Sequence, residues 1–203
     1  LPSPSPSPSA PSSETSINGT QQAEVLKQDT GAAQAAADDL NKNNGTLTTA
    51  EATKKRTELI KDIGDLVLSS GGGGGATDTN VLAGASEQEK QEVLSAIVGA
   101  LSSAIANPSQ LNGPSGGSEI AQVLLNMTNL ANAIDGTFDT ETTGKVMDTI
   151  STVLDVRGAS SPDDAIDKID NIITNIVNNN PAKNFSIKTN RVAVGVSTTS
   201  LSL

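Results

Sequence analysis

The chain has 203 residues, room for one sizeable domain or two small ones. It contains no His, Cys, Trp or Tyr and only two Phe, which excludes His-based nucleophilic catalysis, disulfides, thiolate and imidazole metal sites, and an aromatic surface for base stacking. Acidic residues outnumber basic ones 23 to 13, and the net charge of −10 argues against partners that carry phosphate, whether nucleic acid or an anionic membrane surface.

Hydrophobic residues make up 35% and charged residues 18%, both below the usual globular averages. Ser, Thr, Asn and Gly fill the difference. No apolar run approaches the roughly 18–20 residues of a membrane-spanning helix, so no membrane insertion is expected. Leu1-Pro2-Ser3 lacks the basic start and apolar run of a signal peptide. A mature secreted chain, or a segment of a longer one, would begin this way.

Residues 1–11 alternate Ser and Pro. Pro2, Pro4, Pro6, Pro8 and Pro11 fix φ and bias the residues before them toward extended backbone. At about 3.1 Å per residue the result is a polyproline-II arm of roughly 30 Å. It reads either as a plain linker or as an O-glycosylated stalk. In the second case Pro2, Ser3, Pro4, Ser5, Pro6, Ser7, Pro8, Ser9 and Pro11 are the candidate attachment positions. This alternation resembles the hydroxyproline-rich glycoproteins of algal and plant extracellular matrices.

Six helices are expected after the arm. The first covers about Gln21 to Leu40, with a weak stripe of Val25, Leu26, Ala33, Ala36, Ala37 and Leu40. The second covers about Thr49 to Leu68. Thr48 and Glu51 have capping-box spacing, and Leu59, Ile60, Ile63, Leu66 and Val67 recur at the helical period. Gly71 to Gly75 interrupt the pattern as a hinge or a flexible surface loop; they lack the Gly-Lys-Ser/Thr ending of a phosphate cradle.

The third helix is expected at Glu87 to Ala106, capped by Ser86 and Glu89 and stopped by Pro108, with Leu94, Ile97, Val98, Leu101 and Ile105 inward. The fourth, Glu119 to Ile134, keeps strict i, i+3, i+4, i+7 spacing through Ile120, Val123, Leu124, Met127, Leu130, Ala131 and Ile134. The fifth runs from Thr140 to Val156 on Val146, Ile150, Val153 and Leu154. The sixth begins at Ser161-Pro162-Asp163-Asp164 and buries Ala165, Ile166, Ile169, Ile172, Ile173, Ile176 and Val177.

From Asn184 to Val196 period-2 alternation replaces the helical period. A two-residue turn at Thr189-Asn190 would set Ile187 opposite Val192 and Phe185 opposite Val194; a single strand with a bulge near Asn190 fits equally well. Phe185, Ile187, Val192, Val194 and Val196 are thus candidate strand-pairing residues. A lone hairpin is marginal in water, so this segment must pack on the helices or pair with a strand from elsewhere.

The fold expected is therefore mainly α: an antiparallel bundle of about six helices with a C-terminal β-strand or hairpin and an extended polyproline-II arm. Its divisions are an arm at 1–19, a helical pair at 20–68, a Gly-rich linker at 69–85, a four-helix core at 86–180 and a β element at 181–203. The pair is expected to pack more loosely, because its first stripe is mostly Ala. A run of helices followed by Phe185-Ser-Ile-Lys-Thr-Asn-Arg-Val-Ala-Val-Gly-Val196 resembles the GAIN module of adhesion receptors and polycystin-1-like proteins. The resemblance, over about residues 80–203, implies a helical subdomain leading into a β-sandwich. The family's cysteines and its His-containing cleavage motif are missing, so self-cleavage does not carry over.

Carboxylate pairs occur at Asp38-Asp39, Asp163-Asp164 and Asp167/Asp170, and read as solvated helix faces and dipole partners. No EF-hand pattern joins them. No catalytic, cofactor or metal residues are assigned, and the chain is read as non-enzymatic. Four N-glycosylation sequons begin at Asn18, Asn44, Asn126 and Asn184. With 17 Asn and 44 Ser plus Thr, chance alone supplies about four, so position matters more than number. The function expected is a structural subunit of an extracellular glycoprotein assembly, a fibril, sheath or surface appendage, joined to itself or to a neighbouring protein through arm and strand. The alternative is an ectodomain fragment of a GAIN- or polycystin-type receptor.

Overall fold

Three of the helices begin on the same chemical device. The computed structural model describes residues 18–43, 45–74, 80–157, 163–179, 185–188 and 193–196. Within them α1 (Gly19–Lys42), α2 (Thr49–Ser69) and α3 (Glu87–Ala104) each open on a reciprocal capping box. In α2 the Thr48 hydroxyl accepts from the Glu51 N–H at 3.3 Å, and the Glu51 carboxylate accepts from the Thr48 N–H at 3.0 Å. Ser86 and Glu89 repeat the pattern in α3, at 3.2 and 2.7 Å. Asn18 and Gln21 form a third box that the sequence reading did not single out. Each box satisfies donors that a helix start otherwise leaves unpaired.

The remaining helices are α4 (Gly113–Ala133), α5 (Thr140–Arg157) and α6 (Asp163–Asn179), with a single 3-10 turn at Pro108–Gln110 before α4. The mainly helical, six-helix bundle expected from the sequence is what forms. Several boundaries differ, α1 for instance running two residues further at each end than Gln21 to Leu40. α3 ends at Ala104, with Ile105 as its C-cap, rather than at Ala106. α4 starts at Gly113, not Glu119. Gly113-Pro114-Ser115-Gly116-Gly117-Ser118 has poor helix propensity, but Gly116 and Gly117 are buried, and packing overrides propensity there.

The Gly-rich run is neither hinge nor free loop where it is described. Gly71, at φ +101°, is the left-handed residue that ends α2. The Gly71 and Gly72 N–H groups donate to the carbonyls of Leu68 and Val67 at 3.1 and 3.0 Å, a Schellman closure. A Cβ on Gly72 would sit 2.6 Å from the Asn126 carbonyl oxygen, so only glycine allows the end of α2 to lie this close to α4. α4 ends the same way, with a non-glycine in the left-handed position: Asp135 has φ +51°, and the Gly136 N–H reaches the Ala131 carbonyl at 2.8 Å.

One apolar cluster runs through all six helices. α3 and α4 lie at its centre: Leu94, Ile97, Leu101, Ile120, Leu124, Met127, Leu130 and Ile134 are fully buried. Each such side chain contributes about 1.5–3 kcal/mol of burial. α1 packs on α3 and α2, α2 on α4, α5 on α4 and α3, and α6 on α4. The first two helices are built into the same core, and Leu82 of the intervening loop is itself fully buried. Nor is α1 the loose element that its Ala stripe implied. Its contact with α3 is the most extensive between helices, and Ala23 and Ala37 of α1, like Ala100 and Ala104 of α3, are buried small residues that permit close approach. Ile166, expected to be inward, is exposed.

Two short segments, β1 (Phe185–Lys188) and β2 (Ala193–Val196), pair antiparallel beyond the helices. Phe185 lies opposite Val196 and Ile187 opposite Val194. Each partner is thus two residues further along than the two-residue turn would give. A shift of two keeps the same residues in phase, since the period of a strand is two. Val192, the partner expected for Ile187, lies outside the described residues, as does the Ser-Pro arm.

Candidate functional site

The most unusual chemical group in the core is a charge. Arg56 is fully out of solvent contact, although it follows Lys54 and Lys55 in a basic run. Helical spacing explains this. Ala52, Arg56, Leu59, Ile60, Ile63 and Val67 form the buried stripe of α2, so Arg56 falls on the inward face and the two lysines outside it. That spacing was the available signal, and the sequence reading did not use it.

No carboxylate neutralises Arg56 among the described residues. Its Nε donates to Gln110 Oε1 at 2.9 Å, one Nη to the Ala104 carbonyl at 2.7 Å, and the other Nη to Asn41 Oδ1 at 2.8 Å. Asn41 in turn donates to the Ser103 carbonyl at 3.1 Å. Ala104 closes α3, and Asn41 lies in the last turn of α1. The guanidinium therefore sits against two helix C-termini, where unpaired carbonyls and the negative dipole end favour a cation. Desolvation pulls its pKa below the usual arginine value, yet a guanidinium stays charged in proteins. It ties α1, α3 and the 3-10 turn to α2.

A polar concavity lies between α1 and α3. About 580 Å³ in volume, it is lined by Lys27, Gln34, Gln88, Gln91, Glu92 and Asp139 among others, over a floor of Gly31, Ala96 and Gly99. Its polar groups already serve the fold. Lys27 Nζ bridges Glu92 at 3.0 Å and Glu24 at 3.2 Å, which raises the lysine pKa. Hydrogen bonding to Lys27, and then to Gln88, lowers that of Glu92. Gln91 donates to the Thr137 hydroxyl at 2.8 Å, and Asp139 accepts from the Thr142 N–H at 2.6 Å at the start of α5.

α6 joins α4 through amides flanking its Ile169, Ile172 and Ile176 face. Asn175 donates to Thr128 Oγ1 at 3.0 Å and to Asn129 Oδ1 at 3.1 Å, and Asn179 donates to Asn132. Such neutral pairs fix the helix register without burying charge.

Among the described residues, Asp38-Asp39 and Asp167/Asp170 are not brought together into a site. Asp38 accepts from Gln34 at 3.0 Å, and Asp39 from Asn43 at 3.0 Å. Asp167 and Asp170 are exposed on α6. Among the described residues no three acidic side chains are placed to share a metal ion.

The four sequons separate on geometry. Asn18 is exposed and caps α1, its Oδ1 accepting from the Gln21 N–H at 2.9 Å. Asn126 lies within α4, only 7% exposed, and its Oδ1 accepts from Gln122 at 2.9 Å. The Gly72 backbone packs against it. The Asn126 side chain is thus nearly buried, whereas that of Asn18 is exposed. Asn44 and Asn184 lie outside the described residues.

No protein family, no curated protein and no solved structure shows a match to this chain.

Proposed function

We propose that this chain is a non-enzymatic structural subunit of an extracellular glycoprotein assembly, in which a rigid helical body separates two connecting ends. The observation that carries the reading is the β element. Among the described residues its sheet is two strands wide, in the order β1-β2, so each strand has a second edge with no partner strand. Two strands are at the margin of stability in water, and strand addition from a neighbour completes such an edge. The body supports the reading in a second way. Its buried polar groups, Arg56 foremost, hold helices to one another, which suits a spacer. The Ser-Pro arm supplies the other connection and the attachment sites for sugar.

Electron microscopy of the purified chain at micromolar concentration, with and without residues 184–203, tests this. Fibrils or regular oligomers that disappear on truncation are the expected result. Monodisperse monomers whose β segment is protected from hydrogen exchange would overturn it. No membrane-spanning helix exists among the described residues, none being long and apolar enough.

The order of helices followed by paired strands also favours a second reading, the ectodomain of a GAIN- or polycystin-type receptor. That reading requires the reading frame to continue into a β-sandwich and membrane spans; transcript sequencing past Leu203 decides it.

A further inference from the structure

We propose that Asn18 is a glycan-bearing asparagine whose amide nitrogen carries the sugar while its carbonyl oxygen goes on capping α1. The inference rests on the glycoprotein reading above and takes, of the two sequons among the described residues, the one whose asparagine is exposed. Its warrant is the pairing of a sequon with a divided carboxamide. Asn18, Gly19 and Thr20 make up the acceptor triplet. Oδ1 of Asn18 is committed to the Gln21 N–H at 2.9 Å, and the Asn18 N–H is committed to Gln21 Oε1 at 3.3 Å. The amide nitrogen, Nδ2, has no partner among the described residues, and both Asn18 and Thr20 are exposed.

In the transfer, Nδ2 attacks the anomeric carbon of an oligosaccharide carried on a polyprenyl diphosphate. A C–N bond forms, and the bond from the anomeric carbon to the diphosphate oxygen breaks. Its electron pair leaves with the diphosphate, and one Nδ2 proton passes to a base of the transferase. The product is a secondary amide. It retains one N–H and both lone pairs of Oδ1, so the hydrogen bond that starts α1 needs no rearrangement. The middle residue of the triplet has its own reason to be there. A Cβ on Gly19 would lie 2.3 Å from the Ala83 carbonyl oxygen, and the Gly19 N–H donates to that oxygen at 3.2 Å. The sugar is thereby rooted where the Ser-Pro arm meets the body, on a backbone pinned by the loop before α3. Asn126 is the contrast within the same fold, since its carboxamide is buried in α4.

The test is to secrete the full chain from a eukaryotic cell behind a cleavable signal and to map glycans on the folded, soluble fraction by tandem mass spectrometry. Asn18 is expected to be occupied and Asn126 empty. Thr20→Val, which breaks the triplet and keeps the cap, and Asn18→Asp, which keeps an acceptor oxygen and removes the amide, should each lose one glycan. The glycosylated wild type should melt no lower than the same chain made in a host that lacks the transferase. An empty Asn18 in the wild type overturns the proposal, as does an occupied Asn126 in folded protein. So does a glycosylated form melting about 2 °C or more below the sugar-free chain, the signature of a lost cap. Because the signal is supplied, failure here speaks about Asn18 alone. Native material without sugar, beside an occupied Asn18 in the secreting host, would instead count against the extracellular reading.

Discussion

Arg56→Ala removes a charged side chain that touches α1, α3 and the 3-10 turn together. Three acceptors lose their donor: Gln110 Oε1, the Ala104 carbonyl and Asn41 Oδ1, at 2.9, 2.7 and 2.8 Å. A hydrogen bond to a charged group is worth about 1.5–3 kcal/mol. The three share one donor group and are not additive, and the guanidinium's own desolvation cost is recovered on its removal. The expected loss is therefore about 3–4 kcal/mol, or a fall in melting temperature of roughly 10 °C for a chain of this size. Arg56→Lys keeps the charge and the apolar stem, but a point-like ammonium cannot reach three acceptors spread round a planar fork. It should lose about half as much. Urea denaturation followed by far-ultraviolet circular dichroism measures both. An Arg56→Ala protein that loses less than about 1 kcal/mol at unchanged denaturant slope would refute the view of Arg56 as a clamp.

Gly72→Ala should destabilise by about 2 kcal/mol or more, since its Cβ would meet backbone oxygens of Asn126 and Val67 at 2.6 and 2.9 Å. Gly31→Ala should do the reverse: it lies in mid-helix with open space around its Cβ, so a gain of about 0.5–1 kcal/mol in unfolding free energy is expected. Asp135→Gly relieves a left-handed non-glycine at φ +51° that already has Schellman bonding, and should stabilise by about 1 kcal/mol in the same assay. Glu51 and Glu89 have pKa values held below the ordinary carboxylate range by hydrogen bonds from Thr48 and Ser86. Depressed carboxylates bind fewer protons folded than unfolded. Their contribution is therefore full above the unfolded value and lost as pH falls through the folded one. Melting temperature against pH should drop in that acid window, and Glu51→Gln with Glu89→Gln, which keep the box but cannot titrate, should flatten the drop.

Much of the helical frame was legible in the chain because helix signals are local. Ser86 with Glu89 and Thr48 with Glu51 announce their starts, and the i, i+3, i+4, i+7 stripe of α4 names its buried face from Ile120 to Ile134 before any contact is seen. What misled were positions where composition and packing disagree. Gly113 to Ser118 looks like a helix breaker but is held in α4 by burial. Gly71 and Gly72 look like slack but close α2 and admit α4. The partner of Ile187 depended on a turn whose length the alternation does not encode. Neither the burial of Asn126 nor the place of Leu82 in the core follows from a three-residue motif or a loop composition.

The sequence by itself therefore determined the helical class, most helix starts, the inward stripes and the absence of side chains for His or Cys chemistry, because each depends on residues within a few positions of one another. Tertiary structure alone decided that the first two helices share the main core, that Arg56 lies against two helix C-termini, and that Asn18 is exposed while Asn126 is buried. Those outcomes depend on residues brought together from distant parts of the chain, where approach distance and exposure, not residue type, set the result.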